Sequence, residues 1–138
     1  MKTFATLIFT LLFVNCYAQF VPRPAISFYL NGKSVDNLKN IPKTDTLLEV
    51  KAFLQGEQKK KMPNVEFLIQ EVEVSLVRND RQMASLVLPQ GKGSFSPLTK
   101  IAISGDKYIM TARRIQYIEN NVVKDVGIGN VVRNFVLQ

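Results

Sequence analysis

The amino-acid sequence predicts an all-β fold, an antiparallel β-sandwich of the immunoglobulin type or a similar one. Three observations indicate this class. Apolar residues alternate with polar ones along much of the chain, turn signals recur about every ten residues, and no segment has the pattern of a long helix. A chain of 138 residues fits a single domain. We therefore expect about seven or eight short strands and one short helical turn, as is typical of sandwiches.

Residues 1–18 are predicted to be a cleaved secretory signal peptide. Lys2 precedes an apolar or hydroxyl-bearing run from Phe4 to Val14, which is too short for a bilayer that requires about 20 residues. Ala18 is small, as the last residue before a signal-peptidase cut usually is. An uncleaved membrane anchor and a lipid anchor at Cys16 are the alternatives. The mature chain is expected to be periplasmic or secreted, without a transmembrane helix and without a nucleic-acid partner.

Residues 19–30 are interpreted as an extended lead-in followed by the first strand, and residues 31–138 as the β domain. Pro22 and Pro24 favour an extended backbone, either as a free tail or as a docked segment. Asn31-Gly32 is a strong hairpin signal after the strand Ile26 to Leu30, because both residues tolerate positive φ. Lys33 to Val35 would begin the return strand, and residues 36–46 are predicted to be a loop with at most one helical turn.

The segment Leu47 to Leu54 alternates like a strand and is predicted to bury its even-numbered residues. Gln55 to Pro63 is predicted to be a loop. It contains Lys59, Lys60 and Lys61, which would form either a binding patch or a solvated tip that discourages pairing at a sheet edge.

Val65 to Val77 is the most strand-like stretch, but its apolar residues change phase at Gln70-Glu71. Either a β-bulge with one extra residue, or two strands meeting at a corner, would explain that change. Arg78 to Arg81 is predicted to be a turn, and Gln82 to Leu88 the partner strand.

The glycine-rich loop Gln90 to Ser94 lacks the spacing of a phosphate-binding loop. Ser96-Pro97 is predicted to open a short helical turn that directs Leu98, Ile101 and Ala102 inward.

The rest of the chain is predicted to be strands joined by a turn at Asn120-Asn121. Lys107 to Ile118 would place Tyr108 on one face and Arg113 and Tyr117 on the other. Val122 to Gln138 would form the last strand or pair of strands.

Composition excludes several classes of enzyme. The chain has no histidine and one cysteine, so it cannot contain a Ser-His or Cys-His nucleophile pair or an ordinary zinc site. Glu71 and Glu73 share a predicted strand face and would be the candidates for carboxylate-only hydrolysis, but alternating Glu and Val is also the pattern of a half-exposed strand. We predict no catalysis, no cofactor and no metal site.

The predicted interaction surface combines basic and aromatic side chains. Arg and Tyr are enriched at protein interfaces, and the alternative role for these residues is cross-strand pairing within the sheet. The candidate residues are Lys59, Lys60, Lys61, Tyr108, Arg113, Arg114 and Tyr117.

The region Val72 to Gln138 resembles the C-terminal periplasmic β domain of the GldM/PorM family, shaft subunits of the gliding-motility and type IX secretion machinery of Bacteroidetes. The resemblance rests on VEVSLVRNDRQ, on QGKGSFSPLTKIAISGDKYIMTARRIQYIENN and on the closing apolar strand, with Gly105-Asp106-Lys107 as its most specific piece. The family's transmembrane helix, helical bundle and further β domains have no counterpart here, and Asn120-Asn121 stands where the family usually has Asp-Gly. The resemblance implies a docking domain of the cell envelope.

The sequence thus predicts an exported protein-binding module, associated with components of the secretion or gliding ring and binding through a strand edge or loop tips. The alternative is an exported carbohydrate- or surface-binding domain, for which Tyr29, Tyr108 and Tyr117 would be exposed on one face.

Overall fold

The computed structural model of the chain describes residues 20–138. The predicted signal peptide, including Cys16, lies outside the described residues. Ten strands and two six-residue helices follow one another along the chain: β1 Ala25–Leu30, β2 Lys33–Ser34, β3 Asn40–Ile41, β4 Leu47–Phe53, α1 Gly56–Lys61, β5 Glu66–Arg78, β6 Arg81–Pro89, β7 Lys92–Ser94, α2 Ser96–Ile101, β8 Lys107–Glu119, β9 Val122–Asp125 and β10 Val131–Leu137.

The strands form two sheets. One has the order β2-β1-β4-β7, and the other has the order β3-β10-β8-β5-β6, with β9 paired to β8 beyond the end of β10. All the pairs are antiparallel except β3 with β10. The described residues are thus mostly β and are not closed into a barrel, which is consistent with the predicted sandwich.

A single apolar core joins the two sheets. Phe28 and Leu48 contribute from the smaller sheet, and Val74, Met110 and Phe135 from the larger one. Burial of each such side chain stabilises the folded state by about 1.5–3 kcal/mol relative to exposure. Since no cysteine lies among residues 20–138, no disulfide stabilises this part of the chain, and the apolar core holds the two sheets together.

The predicted turns are confirmed. Asn31-Gly32, Asn79-Asp80 and Asn120-Asn121 each have positive φ at both residues, as the tight hairpin turns require. The even-numbered residues of β4, which are Leu48, Val50 and Ala52, do face the core, and Leu54 just after the strand is also buried.

The predicted strand count is too low. The additional strands are short: β3 has two residues and β7 has three. β3 lies in the segment predicted to be a loop, and it pairs with β10 through main-chain atoms, which the alternation of side chains does not reveal.

The prediction of a loop over Gln55 to Pro63 is wrong, because Gly56–Lys61 is helix α1. Glu57 lies in its first turn and three lysines in its last, which is the arrangement that the helix dipole favours. The inward orientation of Ile101 is also wrong, since this side chain at the end of α2 is exposed while Leu98 and Ala102 are buried.

The phase change in β5 is real, but the predicted extra residue is absent from its pairing with β8. Ile69 pairs with Ile115 and Glu71 with Arg113, so that Gln70 lies opposite Arg114 with equal numbers of residues on both strands. β5 is one continuous strand and not two strands at a corner. Arg114 has φ +52, and both strands change their buried face at this level. The register shift of β5 lies instead in its pairing with β6, between Leu76 and Val77.

Candidate functional site

The two sheets leave a pair of strand edges open on the same side of the core. β4 pairs with β7 only over Leu47–Glu49, and β5 pairs with β6 only over Glu71–Arg78. Within residues 20–138, no strand pairs with the outer side of Lys51–Phe53 in β4 or of Glu66–Ile69 in β5. We call the trough between these two segments the edge groove.

The edge groove consists of two adjoining cavities of about 550 and 660 Å³, which share Ala52 and Phe67. Val50 and Ile69 are buried and contribute apolar side chains to the lining. Phe53 and Leu68 are partly exposed apolar side chains in the same lining. The groove therefore offers several apolar side chains, within a mixed lining, beside two rows of main-chain groups.

One end of the groove is closed by the turn between β6 and β7. The Val50 N–H donates to the Gly91 carbonyl over 2.8 Å, and the Gln90 N–H donates to the Gln70 carbonyl over 2.9 Å. Gly91 has φ +70, and a Cβ there would lie 3.1 Å from the Ile69 Cβ. Glycine is therefore favoured on two grounds at this position, by its backbone conformation and by its close approach to β5.

Charged and amide side chains surround the apolar lining. Lys51 lies 3.5 Å from the Glu49 carboxylate and over the ring of Tyr29. The Gln70 side-chain amide donates to the Gln116 side-chain oxygen over 2.7 Å. Lys92 lines one cavity and Lys59 the other.

The three lysines predicted as a patch have different surroundings. Lys59 lines the α1 end of the edge groove. Lys60 pairs with Glu57 over 3.2 Å, and Lys61 lies over the ring of Phe20. The lead-in is therefore docked rather than free, since Pro22 is buried and the Arg23 N–H also donates to the Gln58 side chain of α1.

The prediction that Tyr108 and Tyr117 belong to an exposed surface is wrong, because both side chains are buried. Tyr108 packs edge-to-face against Phe95 with ring centroids 5.2 Å apart. Burial, with a smaller contribution from Asp106, raises the pKa of Tyr108 to about 12. The phase change at Arg114 brings Tyr117 to the same buried side as Tyr108, against the simple alternation that separated them.

Arg113 and Arg114 do not form a joint patch. Arg113 binds the Glu73 carboxylate of the neighbouring strand, which is the cross-strand pairing given above as the alternative role. Arg114 is exposed in its left-handed conformation at the phase change. Glu71 lies directly opposite Arg113 in the strand register, whereas the carboxylate that Arg113 binds is that of Glu73.

Sequence reasoning missed the edge groove, although Leu68 gave a signal. This leucine occupies the same alternation phase as Glu66 and Gln70, where a solvated strand face would have a polar residue. An apolar residue in a polar phase indicates a surface that has another role.

In the part of the chain that the structure describes, no cluster of three or more His, Cys, Asp or Glu side chains is arranged to hold a metal ion. No helix in residues 20–138 combines the length and apolar character needed to span a membrane. Comparison with known proteins gives no matching family model, no matching curated protein and no matching solved structure.

Proposed function

We propose that this chain is a non-catalytic, exported protein-binding module with an immunoglobulin-like or similar sandwich, and that it binds an extended segment of a partner in the edge groove. The observation that supports this proposal is the coincidence of two open strand edges with a trough of mixed polar and apolar lining. Strand addition to an exposed edge is a common mode of peptide recognition, in which main-chain bonds give affinity and side-chain pockets give specificity.

The geometry defines the kind of segment that fits. The open part of β5 spans Glu66–Ile69, so a partner would add about four residues, or roughly 13 Å of extended chain. Alternate side chains of that segment would enter the groove near Ala52 and Phe67, and these should be apolar. Polar side chains on the other face would meet Lys51, Lys92 or solvent.

The partner class follows from the resemblance to the GldM/PorM family and from the predicted signal peptide. We propose a component of the type IX secretion or gliding apparatus in the periplasm or at the outer membrane. The carbohydrate-binding alternative has less support, because two of its three tyrosines are buried and stacking on sugars requires exposed rings.

Two leucine variants test the proposal. Leu68 lines the groove at 37% exposure, and Leu38 lies in the loop before β3 at 49% exposure. We expect Leu68→Arg to abolish capture of the partner from envelope extracts and Leu38→Arg to leave capture unchanged. Captured proteins are identified by mass spectrometry, and folding of each variant is checked by thermal denaturation.

The outcomes separate the two parts of the proposal. Loss of a secretion or gliding subunit with Leu68→Arg alone supports both parts. Loss of an unrelated envelope protein supports the groove and overturns the partner class. Capture that is equally strong with both variants overturns the groove as the binding site.

A further inference from the structure

The β5 side of the edge groove has two residues whose main-chain groups face the groove. At this level of the sheet, β8 lies between β5 and β9. The Val126 N–H, just after β9, donates to the Ile115 carbonyl over 3.1 Å, so the main-chain groups of Ile115 face away from β5. Ile69 lies opposite Ile115 in the register, and antiparallel alternation therefore directs the main-chain groups of Ile69 and Phe67 away from β8 and toward the groove.

The β4 side of the groove offers fewer such groups. The Val50 N–H is already bound to the Gly91 carbonyl. The same alternation leaves Ala52 as the residue of the open stretch Lys51–Phe53 whose main-chain groups face the groove. Within residues 20–138, the groups that Phe67 and Ile69 direct at the groove have no main-chain partner. An added strand therefore finds two residues to pair with on β5 and one on β4.

Neighbouring elements limit an added strand to the stretch Glu66–Ile69. The turn at Gly91 lies against the Ile69 side chain at one end of this stretch, and Met62 and Pro63 line the groove at the other end. β4 lies across the trough, where its own ladder partners are β1 and β7. The open stretch of β5 therefore accepts one strand of about four residues.

The side chains of this stretch define which residues a bound segment needs. Phe67 and Ile69 are directed toward the core, whereas Glu66 and Leu68 are exposed on the opposite face of β5. Residues that face each other across an antiparallel pair place their side chains on the same face. The two residues opposite Phe67 and Ile69 would therefore enter the trough, and the residue opposite Leu68 would cover its exposed side chain. All three should be apolar.

Glu66 gives the fourth position its charge. It is the charged residue of the stretch Glu66–Ile69, it is exposed, and it forms no ion pair within residues 20–138. Lys59 lines the same cavity without such a pair to Glu66. Opposite charges on facing residues stabilise an antiparallel pair and like charges destabilise it, so the residue opposite Glu66 should be lysine or arginine.

We propose that the bound segment of the partner adds to β5 and not to β4, antiparallel and in line with β6, and that its sequence follows the pattern apolar-apolar-apolar-basic from its N-terminal end. This inference rests on the binding role proposed for the edge groove and specifies the chemistry of the segment. The first apolar residue faces Ile69 and the basic residue faces Glu66. The antiparallel direction is that of β6 on the same edge, and it is slightly more stable per residue than the parallel one.

Two synthetic peptides with blocked ends, Ser-Val-Leu-Val-Lys-Ser and Ser-Val-Leu-Val-Glu-Ser, test the pattern. Binding is measured by NMR titration of residues 19–138 at about 0.15 M salt, which screens charges over about 8 Å. We expect the Kd of the lysine peptide to be about threefold to tenfold lower than that of the glutamate peptide. Glu66→Lys should invert this preference. Glu49→Lys, on the β4 side of the groove, changes the net charge equally and should leave the preference unchanged. The reversed peptide Ser-Lys-Val-Leu-Val-Ser should bind more weakly than the lysine peptide.

Hydrogen exchange in the complex identifies the strand that is used. The amides of Phe67 and Ile69 should gain protection, whereas the amide of Ala52 should not. Protection of Ala52 without Phe67 overturns the inference. So does a preference that Glu49→Lys inverts and Glu66→Lys does not, equal affinity for the lysine peptide and either of the other two, or a lysine peptide that shows no binding at millimolar concentration.

Leu68→Arg separates this inference from the proposed function. If the variant loses capture of the envelope partner while the peptides show no preference, the groove remains the binding site and the sequence pattern is wrong. If the variant captures the partner as well as the wild type does, the groove is not the binding site, and the inference is overturned with it.

Discussion

Replacement of Asp106 by asparagine is expected to destabilise the fold strongly, although the two side chains have the same shape. Asp106 begins the segment that leads into β8 and is 2% exposed. Its carboxylate accepts two hydrogen bonds of 2.8 Å from Nε and Nη2 of Arg78 and one of 2.9 Å from the Ile103 N–H. Arg78 also donates to the Ile101 carbonyl, so the cluster ties the end of β5 to the end of α2.

The expected loss in free energy of unfolding is about 2 kcal/mol. Hydrogen bonds to charged groups are worth about 1.5–3 kcal/mol each, and asparagine retains one acceptor oxygen while it directs an amide group at the guanidinium. Truncating one partner of a fully buried ion pair costs about 3–5 kcal/mol. Because the Arg78 side chain is partly exposed to water, the expected loss lies below the range for a fully buried pair and within the range for hydrogen bonds to charged groups.

Urea denaturation at neutral pH measures this loss, with Asp80→Asn as the matched control. Asp80 is 94% exposed and lies 3.7 Å from Lys107. An exposed pair of this kind is worth at most about 1 kcal/mol, so the control should lose far less stability than Asp106→Asn.

The same measurement in acid tests the role of the charge. The hydrogen bonds from Arg78 hold the pKa of the Asp106 carboxyl below its usual value, which means that the unfolded chain takes up the proton first as the pH falls. The stabilising contribution of Asp106 is present above about pH 4, the ordinary range of the unfolded carboxyl, and is lost as the pH falls through the lowered native pKa. The difference between wild type and Asp106→Asn should therefore shrink in acid. A difference that is independent of pH, or no larger than that of Asp80→Asn, would refute this reasoning.

Two further predictions concern Gly91 and Tyr108. Gly91→Ala should lower the free energy of unfolding in urea denaturation by about 1–3 kcal/mol, because the new Cβ would crowd Ile69. Gly129→Ala is the control, since Gly129 has a similar φ of +74 but open space around it, and it should lose less stability. Equal losses would contradict the close contact. Tyr108→Phe should leave stability unchanged or raise it by up to about 1 kcal/mol, because the buried Tyr108 hydroxyl has no hydrogen-bond partner among the described residues. It should also remove a phenolate transition at about pH 12 from the spectrophotometric titration of the wild type, and a transition that persists in the variant would show that it belongs to another tyrosine.

Local chemistry determined the features of the fold that could be predicted from the sequence. The turns at Asn31-Gly32, Asn79-Asp80 and Asn120-Asn121 were predictable because few residues adopt positive φ without strain. The hairpin β5–β6 followed from the turn between two alternating stretches. In each case the residues that carry the signal lie within the element itself.

Features that depend on distant partners could not be predicted. β3 exists only because Asn40–Ile41 lies beside the end of β10, nearly a hundred residues later in the chain. The burial of Tyr117 depends on the conformation of Arg114, and two adjacent arginines give no apolar pattern from which a phase change could be read. The candidate interaction surface failed at Tyr117 for this reason, whereas Tyr108 is buried in the regular alternation with Met110 and Ala112.

The edge groove could not be predicted from the sequence for a related reason, since it results from unequal strand lengths. β5 and β8 have thirteen residues each, whereas β6 covers only the second half of β5 and β7 only the first half of β4. An edge is open where a strand pairs over a longer range on one side than on the other, and no single segment of sequence determines both ranges.

The irregularity at Gln70 and the open edge of β5 lie at the same place along the strand. From Glu71 to Arg78, β5 pairs with a strand on each side and directs Val72, Val74 and Leu76 into the core. From Glu66 to Ile69, β5 directs its opposite face toward the core and does not pair with β6. β6 ends before this segment because the chain passes through Gly91 to the smaller sheet. If β6 continued along β5, it would pair with Glu66–Ile69 and the edge of β5 would no longer be open. Gly91 lies where the chain crosses between the sheets and closes one end of the groove, so Gly91→Ala, which strains this crossing, should also weaken capture of the partner in the assay used for Leu68→Arg.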